Sequence, residues 1–233
     1  MRGMKTTKTA AKPKTAKGKQ KAGKGVRTGG DAVPTRERIL AAAKTVFAQY
    51  PYYTASIRMI GKAAGMDHPL ISYYFPTKAD LFEAVLEKIA GLYYAANAEW
   101  FSGLDKFGPD EGLSQYIDRM FAFAARHPEA IRAVAINLVQ PEDTDIIPGY
   151  RKIQNLFARN AETFQETVGL KASFDQIRMF TESFNTLVIN YLGAKTYYAG
   201  ILGMKPQSPE YLQWVKETLM YLFLPRLEQL ILG

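Results

Sequence analysis

The sequence contains no cysteine and only two histidines, His68 and His127. Without cysteine, the chain has no disulfide bond, thiolate metal site or cysteine nucleophile. Two histidines far apart in the sequence do not indicate a zinc site or a histidine-based triad. Serine-hydrolase, P-loop and zinc-protease motifs are missing as well. We therefore expect no metal, no cofactor and no catalytic residue, and we expect that the protein is not an enzyme.

Long apolar runs are also absent. A helix needs about 18 or more consecutive apolar residues to cross a bilayer, and the N-terminal segment lacks the apolar core of a secretory signal. We therefore expect no membrane partner and a cytoplasmic location, with which the absence of cysteine agrees.

Acidic residues are nearly missing from the first 33 residues, which hold ten Lys and Arg against Asp31 alone. This segment carries a charge of +9, whereas the remaining residues hold 20 basic and 21 acidic side chains and carry −1. Its low apolar content predicts a disordered basic tail over residues 1–33. Two interpretations stay open, namely an arm that binds phosphates non-specifically and a solvated tail without function.

Hydrophobic residues make up 47 % of the chain and aromatic residues 12 %, which is enough for a sizeable core. Apolar residues recur at three- and four-residue spacing, without a strand pattern. We predict an all-α fold of about nine helices, with a three-helix domain over residues 34–80 and a helical domain over residues 81–233. We expect Ser173 to cap a long helix that continues past Gly193 to about Leu202, with or without a kink at Gly193. We expect Pro225 to kink or interrupt the last helix.

The segment Ser56–Lys78 predicts a helix-turn-helix. Ser56 suits an N-cap, Gly65 suits the left-handed residue that ends a helix, and Asp67 suits the N-cap of a second, short helix. Thr77 is expected to cap a long connecting helix. Two short helices joined by a glycine turn can place the second helix in the major groove of DNA.

A pattern of apolar, glycine, aromatic and lysine positions runs from about Thr35 to Leu86. It comprises Arg38-Ile39-Leu40, Ala43, Phe47, Ile60, Lys62-Ala63-Ala64-Gly65-Met66, Ile71, Tyr73-Tyr74-Phe75, Lys78 and Leu81. This pattern resembles the DNA-binding domain of the TetR/AcrR family of bacterial transcription regulators. Two positions differ from the family pattern. Gly61 stands where alanine is usual, which weakens the helix by about 1 kcal/mol, and Ser72 stands where tyrosine is common.

The second short helix should present its polar and aromatic residues outward if Ile71 and Phe75 face the core. His68 suits a base edge, Pro69 and Leu70 suit thymine methyl groups, and tyrosine or lysine side chains suit phosphates. The resemblance adds Arg58, from whose position family members reach DNA. The predicted DNA-binding residues are Ser56, Arg58, Asp67, His68, Pro69, Leu70, Tyr73, Tyr74 and Lys78. The alternatives are that Tyr74 belongs to the core and that Arg58 is a solvated surface residue.

A single short recognition helix contacts few base pairs, so helix-turn-helix proteins usually bind palindromic sites as dimers. The last two long helices carry more apolar surface than one face needs, which predicts a four-helix interface with two helices from each chain. The predicted interface residues are Tyr191, Leu192, Tyr198, Leu212, Val215, Leu219 and Leu222. The alternative is that these residues are buried within one chain, and the resemblance favours the homodimer.

The second domain is rich in aromatic side chains with a few polar residues among them, a composition typical of small-molecule pockets. The resemblance implies that a small effector binds there and shifts the spacing of the two recognition helices. Because charged residues are scarce in these stretches, we expect a neutral, apolar or aromatic effector. The candidate lining residues are Tyr93, Asn97, Phe101, Tyr116, Phe123, Asn137, Phe157, Phe180 and Phe184. Each of them could instead belong to the core.

The sequence therefore predicts a repressor that binds a palindromic operator in double-stranded DNA as a dimer and is released by a small apolar or aromatic effector. Two alternatives remain open. The protein could be a helix-turn-helix protein without an effector, or an activator, since the sign of regulation depends on where the operator lies.

Overall fold

In a computed structural model of the protein, the described residues are 33–138 and 148–232, apart from the side chains of residues 148, 156 and 157. The predicted basic tail therefore lies outside the described residues except for Val33. Every regular element of the described residues is helical, as predicted. The α-helices are α1 Thr35–Phe47, α2 Ile57–Ala64, α3 His68–Tyr74, α4 Lys78–Phe101, α5 Pro109–Arg126, α6 Pro128–Asn137, α7 Pro148–Val168, α8 Phe174–Gly193, α9 Lys195–Ile201 and α10 Pro209–Leu232.

Two predicted N-caps are confirmed. The Thr77 hydroxyl accepts a hydrogen bond from Asp80 N at 3.1 Å, while the Asp80 carboxylate accepts one from Thr77 N at 2.9 Å. Ser173 and Gln176 form the same reciprocal pair at the start of α8. Each pair satisfies two backbone donors that a helix leaves free at its first turn.

The predicted continuous helix past Gly193 is wrong, so the described residues contain ten α-helices rather than about nine. The chain leaves the helical conformation at Ala194, with φ −104° and ψ 28°, and α9 begins at Lys195. Gly193 lies so close to α6 that an added Cβ would be 2.4 Å from the Ala135 Cβ. The helix therefore ends at a point of close approach to α6.

Helix α10 continues through Pro225 without the predicted interruption. Phe223 and Leu227, on either side of the proline, are both buried in the core. Burial of these flanking side chains keeps the segment helical although the proline lacks a backbone donor.

The buried side chains form two clusters. The first joins α1–α4 to parts of α6, α7 and α8, with Phe47, Phe82 and Ile71 at its centre. The domain boundary predicted at residue 80 therefore falls inside α4 and inside a shared core. The second cluster fills the space between the far end of α4 and α5, α7, α8 and α10. None of the helices in the described part of the chain is long and apolar enough to cross a membrane.

Candidate functional site

Helices α2 and α3 form a helix-turn-helix. The Ser56 hydroxyl accepts a hydrogen bond from Met59 N at 3.3 Å, which confirms the predicted N-cap. Gly65 adopts the left-handed conformation, with φ 63° and ψ 38°, and ends α2 as predicted. Asp67 lies at the N-cap position of α3, but its carboxylate makes no capping hydrogen bond, so that detail of the prediction is wrong.

The turn leaves no room for a side chain at Gly61. An added Cβ would lie 2.8 Å from the Met66 carbonyl oxygen and 3.4 Å from Ile71 Cδ1. Alanine at this position would therefore require the turn to shift. Close packing of the turn explains why glycine stands here, although glycine lowers helix propensity by about 1 kcal/mol.

Helix α3 presents the predicted residues away from the core. His68 and Pro69 are exposed, and Leu70 and Tyr73 are 38 % and 81 % exposed. Ile71, on the opposite face of the helix, is fully buried. The structure thus brings one imidazole, two aliphatic groups and one phenol together on a single exposed surface.

The neighbours of this surface restrict its side chains. The Ser72 hydroxyl lies 3.3 Å from His68 Nδ1, within hydrogen-bond distance. The half-buried Tyr74 ring meets the Tyr73 ring edge to face, with 5.2 Å between centroids. Helix α3 carries no lysine or arginine, so positive charge beside it comes from α2, where Arg58 is exposed.

Lys78 is engaged within the chain. Its Nζ donates to the Tyr52 and Ala55 carbonyl oxygens at 2.8 and 3.0 Å and lies 4.3 Å from the centroid of the Tyr52 ring. Partial burial lowers the pKa of this amine. The position predicted for a phosphate contact therefore holds the loop before α2 against the start of α4.

Asn137 is fully buried where α6 meets the loop after α1. Its Oδ1 accepts a hydrogen bond from Tyr52 N at 2.8 Å, and its Nδ2 donates to the Phe47 carbonyl at 3.4 Å and to a carbonyl of its own helix at 2.8 Å. Nearby, Arg132 Nε donates to the Ala48 carbonyl at 2.8 Å. Asn137, predicted to line the effector pocket, thus fixes α6 to the loop before the helix-turn-helix instead.

A cavity of about 330 Å³ lies among α5, α7, α8, α10 and the end of α4, and is called the main cavity below. This volume falls within the usual range of ligand pockets. Four predicted pocket residues line it: Phe101, Tyr116, Phe180 and Phe184. Lining residues that the prediction omitted include Leu113, Asn160, Phe164, Thr181, Asn185 and Leu227.

The other predicted pocket residues lie elsewhere. Tyr93 and Phe123 border a much smaller cavity of about 30 Å³. Asn97 is 4 % exposed, and its Oδ1 has no hydrogen-bond partner among the described residues. The side chain of Phe157 lies outside the described residues.

One side of the main cavity is lined by three nearly parallel phenylalanine rings. The Phe164 and Phe180 rings are 4° from parallel with centroids 5.4 Å apart, and the Phe180 and Phe184 rings are 7° from parallel at 6.2 Å. Phe223 packs edge-on behind Phe180 and Phe184 and holds them in place. Such a row of rings suits packing with a planar ring.

The polar groups of the main cavity are amides and hydroxyls. Asn160 and Asn185 are each 4 % exposed, and neither Asn160 Oδ1 nor Asn185 Nδ2 has a hydrogen-bond partner among the described residues. Burial raises the pKa of Tyr116, and hydrogen bonding with the Asn160 side chain partly offsets that rise. The Thr181 hydroxyl donates to the Arg178 carbonyl at 3.2 Å.

Charge is nearly absent from this lining. The exposed Asp105 is its one ionisable carboxylate, and no Lys, Arg or His side chain of the described residues contributes to it. The main cavity is therefore apolar, with neutral donors and acceptors.

The residues predicted for a dimer interface divide into exposed and buried ones. Leu222 is exposed, and Tyr191, Tyr198 and Leu212 are partly buried. The other three belong to the second buried cluster: Leu192, Val215 and Leu219. Because they pack inside this chain, they offer a partner little or no surface.

Other large apolar side chains of the last three helices are exposed. Those of α8 and α9 are Phe174, Met179, Tyr197 and Ile201, and those of α10 are Tyr221, Leu222 and Leu232. Tyr221 is the most exposed of these side chains, at 82 %. Large exposed apolar side chains on three successive helices are candidates for a protein interface.

Comparison with known proteins agrees with this geometry. Residues 39–85 match the family model described as bacterial regulatory proteins, tetR family. The HTH-type transcriptional repressor NicS of Pseudomonas putida is 33 % identical over 129 residues, which cover 55 % of this chain and 57 % of NicS. The chain thus spans about half the length of the curated relatives that it matches.

Solved structures share the fold over most of the chain. A TetR transcriptional regulator from Legionella pneumophila has a TM-score of 0.62 at 19 % identity, covering 83 % of this chain and 99 % of that one. FadR from Bacillus halodurans has a TM-score of 0.61 at 17 % identity, covering 83 % and 96 %. Over residues 39–85 the chain thus matches the tetR family of bacterial regulatory proteins, and over most of its length it shares the helical fold of solved TetR regulators.

Proposed function

We propose that the protein is a transcription regulator, most simply a repressor, that binds a palindromic operator as a homodimer and is released by a small apolar or aromatic effector. The observation that carries the proposal is the exposed surface of α3. His68, Pro69, Leu70 and Tyr73 protrude from a helix whose other face is anchored by the fully buried Ile71. A short, rigidly held helix of this kind fits the major groove.

We expect the side chains of α3 to contact different parts of the DNA. The imidazole of His68 suits a base edge, and Leu70 with Pro69 offers apolar contact to thymine methyl groups. The Tyr73 hydroxyl suits a phosphate oxygen, which positions the helix without selecting a sequence. Arg58 of α2 supplies the cation that α3 lacks, and a guanidinium suits a guanine or a phosphate.

A homodimer supplies the second recognition helix that a palindrome requires. The exposed apolar side chains of α8, α9 and α10 support this part of the proposal, with Tyr221 and Leu222 on α10 as its core. Two helices from each chain would then pack as a four-helix interface.

Effector control is supported by the main cavity and by its connection to the DNA-binding helices. The cavity borders α8, and α8 packs against α6. Helix α6 in turn holds the loop before α2 through Asn137 and Arg132. A ligand that shifts α8 therefore has a continuous packed route to the helix-turn-helix.

The DNA-binding part of the proposal is tested with three variants in a mobility-shift assay, using DNA selected by the wild-type protein. Leu70→Ala should weaken binding roughly tenfold per half-site, because it removes an apolar contact at a base. Tyr73→Phe should weaken binding less, since it removes one hydroxyl. Leu138→Ala is the matched control, because Leu138 is similarly exposed, at 36 %, but lies at the end of α6. Equal DNA binding by all three variants would show that α3 does not contact the DNA.

A further inference from the structure

We propose that the main cavity selects a neutral, flat aromatic ligand that carries both a hydrogen-bond donor and a hydrogen-bond acceptor, such as an aromatic carboxamide or a hydroxyaryl ketone. The inference rests on the proposed role of this cavity as an effector site and specifies the chemistry of the ligand. Three properties of the lining carry it: one unpartnered amide atom on each of two asparagines, Asn160 and Asn185, of which Asn185 also borders the smaller cavity, the lack of cationic side chains among the described lining residues, and a row of nearly parallel aromatic rings.

The amide atoms define the polar half of the ligand. Asn160 Oδ1 and Asn185 Nδ2 are buried and have no hydrogen-bond partner among the described residues. Buried polar groups in folded proteins are almost always hydrogen-bonded, because an unmade bond leaves the cost of desolvation uncompensated. The oxygen requires a donor and the nitrogen requires an acceptor. A ligand that offers only one of the two would leave the other amide atom unpaired.

The lack of cationic side chains among the described lining residues determines the charge of the ligand. A carboxylate buried in this cavity would meet no Lys, Arg or His among the described lining residues, which instead include the carboxylate of Asp105. Burying an unpaired anion is strongly unfavourable. The Tyr116 phenol stays neutral, since burial raises its pKa. A neutral ligand is therefore favoured over an acid of the same shape.

The aromatic rings and the volume define the shape of the ligand. Phe164, Phe180 and Phe184 are nearly parallel rings, and a planar ring can pack against them face-on or edge-on. The volume of about 330 Å³ lies at the lower end of the range for small-molecule pockets. One ring or two fused rings with a small polar substituent match this space.

A series of naphthalene probes tests the proposal by titration calorimetry on the full chain without DNA. 2-Naphthamide offers a donor and an acceptor on one group, and 6-hydroxy-2-acetonaphthone offers them at opposite ends of the ring system. Methyl 2-naphthoate keeps only the acceptor, 2-ethylnaphthalene has neither, and 2-naphthoate carries a charge. At least one of the first two probes should bind about tenfold or more tightly than each of the other three.

Three variants test whether the probes bind in the main cavity. Asn160→Leu and Asn185→Leu should each weaken binding of the preferred probe about tenfold, while binding of 2-ethylnaphthalene is retained or improved. Asn97→Leu is the matched control, because it removes an equally buried amide that does not line the main cavity. Circular dichroism establishes that each variant is folded, and the probe series on the wild-type protein needs no variant.

The outcomes separate this inference from the proposed function. The ligand class is refuted if 2-naphthoate or 2-ethylnaphthalene binds as tightly as the donor–acceptor probes, if no probe binds, or if Asn97→Leu has the same effect as the two cavity variants. Release of DNA is measured separately by mobility shift. Selective binding of 2-naphthamide without any change in DNA affinity would support the ligand class and contradict the effector role.

Discussion

Replacing Asn137 by leucine tests the connection between α6 and the helix-turn-helix. The side chain is fully buried, and leucine has a similar size, so the main loss is that of hydrogen bonds. Without the amide, the Tyr52 N–H loses its 2.8 Å partner, and the Phe47 carbonyl loses a donor at 3.4 Å. Both groups lie in the first buried cluster, to which Phe47 and Tyr52 belong.

The size of the loss follows from these two contacts. A buried backbone group left without a partner costs about 1–3 kcal/mol. The Tyr52 N–H should contribute most, because its bond is shorter, and the added apolar surface of leucine offsets part of the loss. We therefore expect Asn137→Leu to lower the free energy of unfolding by about 2–4 kcal/mol. In a chain of this length, the midpoint of thermal unfolding should fall by roughly 5–15 °C.

Urea denaturation followed by circular dichroism measures this difference directly. Asn97→Leu provides the control, because Asn97 is also buried but its Oδ1 has no partner among the described residues. We expect the control to change the free energy of unfolding by less than about 1 kcal/mol. Equal losses in the two variants would show that the Asn137 hydrogen bonds do not stabilise the junction.

Three further predictions concern packing, Lys78 and assembly. Gly193→Ala should lower the midpoint of thermal unfolding, because its Cβ would lie 2.4 Å from the Ala135 Cβ. A second change, Ala135→Gly, should restore the midpoint, and a midpoint that stays low in the double variant would contradict the close approach. Lys78→Met should lower the free energy of unfolding, measured by urea denaturation, by about 1–3 kcal/mol, because the amine loses its hydrogen bonds to two carbonyl oxygens. If the variant is as stable as the wild type but no longer binds DNA, Lys78 contacts a phosphate instead. The wild-type protein should sediment as a dimer at micromolar concentration and Tyr221→Glu should shift it toward the monomer, so a monomeric wild type would refute the interface.

Features set by neighbouring residues could be predicted from the sequence. The N-caps at Ser56, Thr77 and Ser173 depend on a donor three residues away, and the left-handed turn depends on Gly65 alone. The exposed face of α3 followed from helical spacing, because the anchor Ile71 lies on the opposite side of the same helix.

Features set by distant residues could not be predicted in this way. The carbonyl partners of Lys78 lie 26 and 23 residues away, and the Tyr52 N–H lies 85 residues from Asn137. The sequence marks both side chains as polar but does not show what they face. Leu219 is apolar and correctly spaced for an interface, yet it is fully buried in its own chain.

The main cavity was predicted as a class of site, and only part of its lining was predicted. Four aromatic residues were predicted because the second domain is dense in aromatic side chains, whereas Asn160 and Asn185 were not among the predicted lining residues. Asn160 lies four residues before Phe164, and Asn185 lies four residues after Thr181. Residues four apart lie on the same face of a helix, so this spacing was the signal in the sequence that pointed to both asparagines. Which helix faces meet around the cavity is decided by tertiary packing.

The central claim is that α3 reads the sequence of a DNA duplex, and selection of bound fragments from random DNA tests it most directly. The wild-type protein should select a palindrome whose half-sites are centred about one helical turn, or a multiple of it, apart. Leu70→Ala should select the same spacing with relaxed base preference at one position in each half-site. Selection of no common sequence, or of an identical sequence by the wild type and by this variant, would contradict the account.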